Sequence, residues 1–81
     1  MLRFQGYLLV RALVVQVQAC ATGQVADRVV SHADLCRETG ALDLHALYVL
    51  GCEARAELRH CLLILNEYGR GYSIRGIGSA S

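Results

Sequence analysis

Residues 63–75 read LILNEYGRGYSIR, two apolar runs on either side of the sequence Gly69-Arg70-Gly71. Two strand-like runs around a short glycine-containing turn are typical of a β-hairpin. Because glycine has no Cβ, Gly69 and Gly71 permit positive φ angles at the turn. The stretch therefore predicts a C-terminal hairpin that displays Arg70 at its tip.

A long helix is predicted immediately before the hairpin, from a cap at Asp43 to about Cys61 or Leu62. At about 100° per residue, one face of this helix is apolar and is expected to be core. That face consists of Leu47, Leu50, Ala54, Leu58 and Cys61. The opposite side carries Tyr48, Cys52, Arg55 and Arg59, and His45, Ala56 and His60 also point outward.

A shorter helix is predicted from Ser31 to Thr39, after a connector at residues 25–30. Ser31 is a typical N-cap, and Asp34 lies three residues later, where a capping box usually has Glu. Gly40 follows the last helical residue and is expected to end the helix.

The first predicted element is a helix from about Gly6 to Ala21, where apolar residues recur at helical spacing and Gly23 provides a stop. Residues 7–15 are apolar apart from Arg11, but glutamines at positions 16 and 18 interrupt the run. A membrane-spanning helix needs about 18 or more apolar residues. We therefore expect this segment to be a core element of a soluble, cytoplasmic protein.

The composition is that of one small folded domain. The chain has 81 residues, of which 54% are hydrophobic and 19% are charged. It is too apolar for a disordered tail and too short for a multidomain enzyme. We expect a single domain over residues 1–81, with an ordered core at about 6–75 and a flexible tail at 76–81.

The charge balance does not by itself indicate a nucleic-acid-binding protein. The chain has eight arginines, no lysines and seven acidic residues, which gives a net charge of +1 and a pI of about 7.7. Nucleic-acid-binding domains more often have a pI above about 9. If the chain binds DNA, its arginines must therefore be gathered on one face.

The cysteines do not predict a metal site or a disulfide framework. Cys20, Cys36, Cys52 and Cys61 are separated by 16, 16 and 9 residues, and the three histidines do not supply closely spaced ligand pairs. Structural zinc sites usually take ligands two to four residues apart. We expect free thiols, no bound metal and no cofactor.

Three motifs resemble the effector domain of OmpR/PhoB-type response regulators. VVS at residues 29–31 followed by Leu35 is similar to the start of that family's second helix. LRHCL at residues 58–62 resembles the end of its recognition helix, and GRGYSI at residues 69–74 resembles its wing. The resemblance covers roughly Leu8 to Ile74. It implies a mainly α fold with a small β-hairpin, the winged helix-turn-helix of three helices and a C-terminal wing.

The chain also departs from that family. The family has a sheet of about four strands before its first helix, whereas Met1–Gln5 stand there in this sequence. We therefore expect neither that sheet nor a receiver domain with phosphorylation control. The family's usual Thr-x-Arg in the wing is replaced by residues 66–68, NEY, and the long helix carries Glu53 and Glu57. These acidic residues lie on the surface where the resemblance implies DNA.

The leading functional prediction is a small winged-helix transcription regulator that binds duplex DNA through the third helix and the wing. Arginine in a major groove bonds guanine or phosphate, and arginine at a wing tip suits a minor groove. The alternative is a phage-type module that binds a protein such as RNA polymerase, because exposed tyrosine and arginine also suit a protein interface. The candidate binding residues are Tyr48, Cys52, Arg55, Arg59, His60, Tyr68 and Arg70.

Enzymatic activity and a small-molecule substrate are not expected. The chain has no Ser-His-Asp arrangement that spacing places in one pocket, and His60 and Cys61 are adjacent, so on a helix they diverge by about 100°. The glycine-rich turn lacks the Lys-Ser/Thr and the following helix of a phosphate-binding loop. Tyr72 is expected to pack on the long helix, and Tyr68 to be exposed.

Overall fold

Three helices and a small antiparallel sheet make up the computed structural model, which describes residues 4–76. In chain order the elements are α1 (Phe4–Ala21), β1 (Val30–Ser31), α2 (His32–Thr39), α3 (Leu44–Glu57), β2 (Leu62–Glu67) and β3 (Gly71–Gly76). The strands are arranged in the order β1-β3-β2, and both pairs are antiparallel. This mainly helical arrangement is compatible with a winged-helix layout. The flexible tail predicted at 76–81 lies outside the described residues, apart from Gly76 at the end of β3.

Helix α1 contributes two leucines to the core of the molecule. Its Leu9 and Leu13 are fully buried, and α1 packs against α2, α3 and β3. It ends in a Schellman motif: Gly23 has φ +82° and its N–H bonds to the Cys20 carbonyl, while the Gln24 N–H bonds to the Ala19 carbonyl. The helix predicted from Gly6 to Ala21 is therefore confirmed, and begins two residues earlier.

The length of α1 differs from the short apolar run that the sequence suggested. Among residues 4–76 it is the one helix long and apolar enough to cross a membrane by length and composition, at 18 residues and a mean hydropathy of 1.2. Three of its 18 residues, or 17%, are buried in the described structure: Gly6, Leu9 and Leu13. Since α1 packs on the other elements of a compact body, the arrangement is consistent with a soluble protein.

Helix α2 has the caps that the sequence predicts. The Ser31 hydroxyl accepts a hydrogen bond from the Asp34 N–H at 3.2 Å, and Gly40 adopts φ +77° while its N–H bonds to the Cys36 carbonyl at 2.8 Å. The Asp34 carboxylate bonds Arg37 at 2.6 Å. Residues 30 and 31, which were expected to be connector and cap, also form the short strand β1.

Helix α3 begins as predicted but ends earlier. The Asp43 carboxylate accepts a hydrogen bond from the Ala46 N–H at 2.8 Å, so the N-cap is confirmed. The helix ends at Glu57, because the N–H groups of Cys61 and Leu62 both bond to the Leu58 carbonyl at 2.8 Å and turn the chain into β2. The prediction of a helix extending to Cys61 or Leu62 is therefore wrong.

The early end of α3 changes the predicted core face. Leu47, Leu50 and Ala54 are buried as expected. Leu58, at the helix C-cap, is only half-buried, and Cys61 is exposed. The prediction that these last two residues are core is therefore wrong, because the turn at residues 58–61 takes them out of helical phase.

The hairpin is present where the sequence predicts it, with β2 and β3 paired from Leu62↔Gly76 to Glu67↔Gly71. Gly69 has φ +74°, as expected of the turn. Gly71 does not have positive φ, so the expected role of the second glycine is wrong. A Cβ on Gly71 would lie 1.8 Å from the Val30 carbonyl oxygen, so glycine is required there by the close approach of β1.

The buried residues join the sheet to the helices. The core cluster consists of Leu9, Leu13, Val30, Leu35, Leu47, Leu50, Ala54, Ile64, Tyr72 and Ile74. Tyr72 packs on α3 as expected: it is 4% exposed, and a Cβ on Gly51 would lie 2.6 Å from its ring. Leu35 is buried and Cys36 half-buried, which fits the inward side of α2.

Candidate functional site

The outward side of α3 brings Tyr48, Cys52 and Arg55 together, one helical turn apart. Tyr48 is exposed and Cys52 is half-buried. A side-chain hydrogen bond with Cys52 is the largest of the effects that raise the pKa of Tyr48, and the positive charge of Arg55 acts in the opposite direction. These three sequence-predicted site residues therefore form one continuous strip.

Arg55 is attached to the hairpin. Its Nε donates to the Ile64 carbonyl of β2 at 3.1 Å, and the side chain is half-buried. The bond fixes the hairpin against the last turn of α3. Arg55 is therefore partly a structural residue, although the remaining guanidinium N–H groups can still serve a ligand.

Arg59 and His60 lie in the turn after α3 and not on the helix. Both side chains are exposed, and Arg59 Nε bonds His60 Nε2 at 3.3 Å. The placement of Arg59 on the strip with Tyr48 is wrong, because the helix ends at Glu57. Arg59 is instead displayed directly before β2, at the end of the hairpin opposite its tip.

Arg70 is at the tip of the hairpin as predicted, and it is paired. Its guanidinium forms an ion pair with the Asp27 carboxylate in the connector between α1 and β1. Both side chains are about half exposed, at 56% and 48%. Exposed ion pairs contribute at most about 1 kcal/mol, so this contact does not prevent Arg70 from meeting another anion.

One face of the hairpin forms a shallow cleft with α3 and the start of α2, which we call the aromatic cleft. It has a volume of about 240 Å³. Its lining residues are His32, Leu44, Tyr48, Asn66, Tyr68, Gly69 and Tyr72. The rim is open, since Tyr68 is 96% exposed and Leu44 is 61% exposed.

Tyr72 and His32 form the floor of the aromatic cleft. Their rings meet edge to face at 5.6 Å between centroids, and burial raises the pKa of the Tyr72 hydroxyl. Sequence reasoning selected Tyr48 and Tyr68 but missed His32 and Leu44. Their part in the cleft depends on the angle between α2, α3 and the hairpin, which no local motif encodes.

The other face of the hairpin forms a second cleft with the connector before β1, which we call the arginine cleft. It has a volume of about 360 Å³. Its charged lining residues are Arg28, Arg70, Arg75, Asp27 and Glu67. Of these residues, the sequence analysis selected Arg70 as a candidate binding residue and Glu67 as an acidic residue on the expected DNA surface. The available signal was the two-residue spacing that places Arg75 on the same side of β3 as Ser73, although Ser73 itself is buried and Arg75 is exposed.

The structure gives no grouping of metal ligands within residues 4–76. No three or more His, Cys, Asp or Glu side chains in that range are close enough together to hold an ion. The cysteines of the same segment are free thiols at four separate places in the fold. Comparison with known proteins finds no family model, curated protein or solved structure that matches this chain.

Proposed function

We propose that this chain is a small winged-helix transcription regulator that binds duplex DNA through the hairpin and the adjoining end of α3, and that it is not an enzyme. The order of elements supports this proposal, since a capped pair of helices is followed directly by a glycine-turn hairpin. The resemblance of residues 29–35, 58–62 and 69–74 to OmpR/PhoB-type effector domains points to the same class.

The observation that carries the proposal is the position of the arginines. Five of the seven arginines among residues 4–76 lie on or beside the hairpin: Arg28, Arg55, Arg59, Arg70 and Arg75. The other two, Arg11 and Arg37, line a separate cleft between α1 and α2 together with Asp34 and Glu38. A chain with a net charge of only +1 thus places most of these arginines around the hairpin, on both of its faces and not on one, with Asp27 and Glu67 beside them.

The individual arginines suit different contacts. Arg59 is exposed beside the end of α3, and its hydrogen bond to His60 uses only the Nε–H of the guanidinium. A guanidinium of this kind bonds phosphate, or the O6 and N7 atoms of guanine, in a bidentate manner. Arg70, at the hairpin tip, can exchange the Asp27 carboxylate for a DNA phosphate at little cost, because the ion pair is exposed.

Titration of mixed-sequence duplex DNA at low salt tests the proposal. We expect binding at about 50 mM salt that falls steeply by about 200 mM, because phosphate contacts release counterions. Arg59→Ala and Arg70→Ala should each weaken DNA binding by about 1–3 kcal/mol if the arginine contacts a base, and by less if it contacts only the DNA phosphate backbone. Arg37→Ala removes the same charge from the far cleft and serves as the control. Absence of binding at low salt would contradict the proposal.

The aromatic cleft favours a second candidate function, the binding of a protein of the transcription machinery such as RNA polymerase. Tyr48, Tyr68 and Leu44 are exposed at its rim, and Leu42 is 96% exposed just before α3. Exposed tyrosines that surround a cleft are typical of protein interfaces. If this function is the correct one, duplex binding is absent even at low salt, and Tyr68→Ala weakens capture of the polymerase from nuclease-treated lysate.

A further inference from the structure

We infer that the arginine cleft, on the face of the hairpin away from α3, is a phosphate-binding site, and that Asp27 competes with the phosphate for Arg70. This inference rests on the proposed function and extends it. It assigns a role to Arg28 and Arg75, which are not part of the strip on α3. It also identifies Asp27 as a residue that limits the affinity for phosphate.

The cleft gathers cations from two distant parts of the chain. Arg28 comes from the connector before β1, whereas Arg70 and Arg75 come from the turn and from β3. The guanidinium group presents several N–H donors in a planar fork that matches a phosphate group. Because β1 pairs with β3 from Val30↔Tyr72 to Ser31↔Gly71, the connector is held against the hairpin and the two segments keep a fixed separation.

Two of the three arginines, Arg28 and Arg75, are available to bind a phosphate group. Within residues 4–76, neither Arg28 nor Arg75 forms an ion pair or a side-chain hydrogen bond, and both side chains are exposed. The acidic residues of the same cleft are Asp27, which is paired with Arg70, and Glu67, which is half-buried. Three guanidinium groups against two carboxylates leave the cleft with one net positive charge.

Asp27 is held in position independently of Arg70. One of its carboxylate oxygens accepts the Val29 N–H at 3.1 Å, and its carbonyl accepts the Gln16 side-chain amide at 2.9 Å. The other carboxylate oxygen bonds Arg70. A phosphate that binds the same nitrogen of Arg70 must therefore displace this carboxylate, while the local turn at Asp27 keeps its own hydrogen bonds.

The chain offers a matched control for this arrangement. Asp34 and Arg37 form a second exposed ion pair, at 2.6 Å, in the cleft between α1 and α2. Asp34→Asn changes the net charge as much as Asp27→Asn does, and Arg37→Ala changes it as much as Arg28→Ala or Arg75→Ala does. Differences between the two sets therefore report position and not total charge.

The experiment measures the affinity of these variants for a mixed-sequence duplex and, separately, for inorganic pyrophosphate, with the arginine Nε–H signals followed by NMR. We expect Arg28→Ala and Arg75→Ala each to weaken duplex binding about tenfold and to reduce the salt slope by about one. We expect Asp27→Asn to strengthen binding about two- to fivefold. Arg37→Ala and Asp34→Asn should leave the affinity nearly unchanged. Thermal unfolding of each variant checks that the fold is intact.

The outcomes separate this inference from the proposed function. If the duplex binds but Arg28→Ala and Arg75→Ala behave like Arg37→Ala, the inference is overturned and the proposed function stands. If no duplex binds but pyrophosphate shifts the Arg28 and Arg75 signals, the cleft takes free phosphate and the proposed function is overturned. If neither ligand binds, both are overturned.

Discussion

Replacement of Gly71 by alanine should disrupt the sheet far more than the same change at Gly69. A Cβ on Gly71 would lie 1.8 Å from the Val30 carbonyl oxygen and 2.8 Å from the Ser31 Cα, whereas ordinary van der Waals contact begins at 3.4 Å. The obstructing atoms belong to the backbone, so no side-chain rotation relieves the clash. Strands β1 and β3 would have to separate by about 1.6 Å at this point.

The loss of stability in Gly71→Ala follows from the contacts that are broken when β1 and β3 separate. The hydrogen bonds between β1 and β3 would exceed bonding distance, and each contributes about 1 kcal/mol. Val30, which is 8% exposed, would also leave the core, at a cost of about 1–3 kcal/mol. We therefore expect Gly71→Ala to lower the free energy of unfolding by about 3–5 kcal/mol, a large part of the stability of a domain this small.

Gly69→Ala provides the matched comparison. Gly69 has φ +74° but no atom within 4 Å of its virtual Cβ, so alanine meets only backbone strain of about 1–2 kcal/mol. Urea denaturation followed by far-UV circular dichroism measures both variants. If Gly71→Ala costs no more than Gly69→Ala, β1 does not lie against β3 as described, and the geometry of the arginine cleft fails with it.

Three further outcomes follow from burial, ionisation and thiol chemistry. Leu47→Ala should lower the free energy of unfolding by about 2–5 kcal/mol and Leu58→Ala by only about 1 kcal/mol, because the Leu47 side chain is fully buried and the Leu58 side chain is not. Equal losses in urea denaturation would contradict the conclusion that α3 ends at Glu57. Burial raises the pKa of Tyr72 above 10.0, so its stabilising effect is complete below that pH and is lost as the pH rises through the folded-state pKa. Tyr72→Phe should therefore lose less stability between about pH 9 and pH 11 than the unchanged chain, and parallel pH profiles would refute this assignment. Protein purified without added metal should carry far less than one zinc per chain and four titratable thiols, whereas stoichiometric zinc would show that the cysteines come together.

The fold was predictable from the sequence wherever a local signal acts alone. Ser31, Asp43 and Gly40 mark helix ends through their own hydrogen bonds or conformations, and each was placed correctly. The end of α3 was not predictable in this way. The residues LRHCL at 58–62 continue the helical pattern, but the pairing of Leu62 with Gly76 draws the chain into β2, and tertiary pairing outweighs helix propensity.

The candidate site was less predictable than the fold because its contacts join distant segments. Arg70 was identified from the turn sequence, but its partner Asp27 lies 43 residues away and carries no motif that links the two. The same is true of Arg55, whose bond to the Ile64 carbonyl depends on the packing of α3 on β2. Gly71 shows the converse, since the residue was selected correctly but for a positive φ that it does not adopt.

NMR mapping of a duplex titration at low salt tests the central claim most directly, because it reports both whether DNA binds and where. The account predicts that the largest shifts fall on the hairpin turn, on Arg59 and on the Nε–H groups of Arg28 and Arg75, and that added salt reverses them. Unchanged spectra, or shifts confined to the arginines of the cleft between α1 and α2, would contradict it.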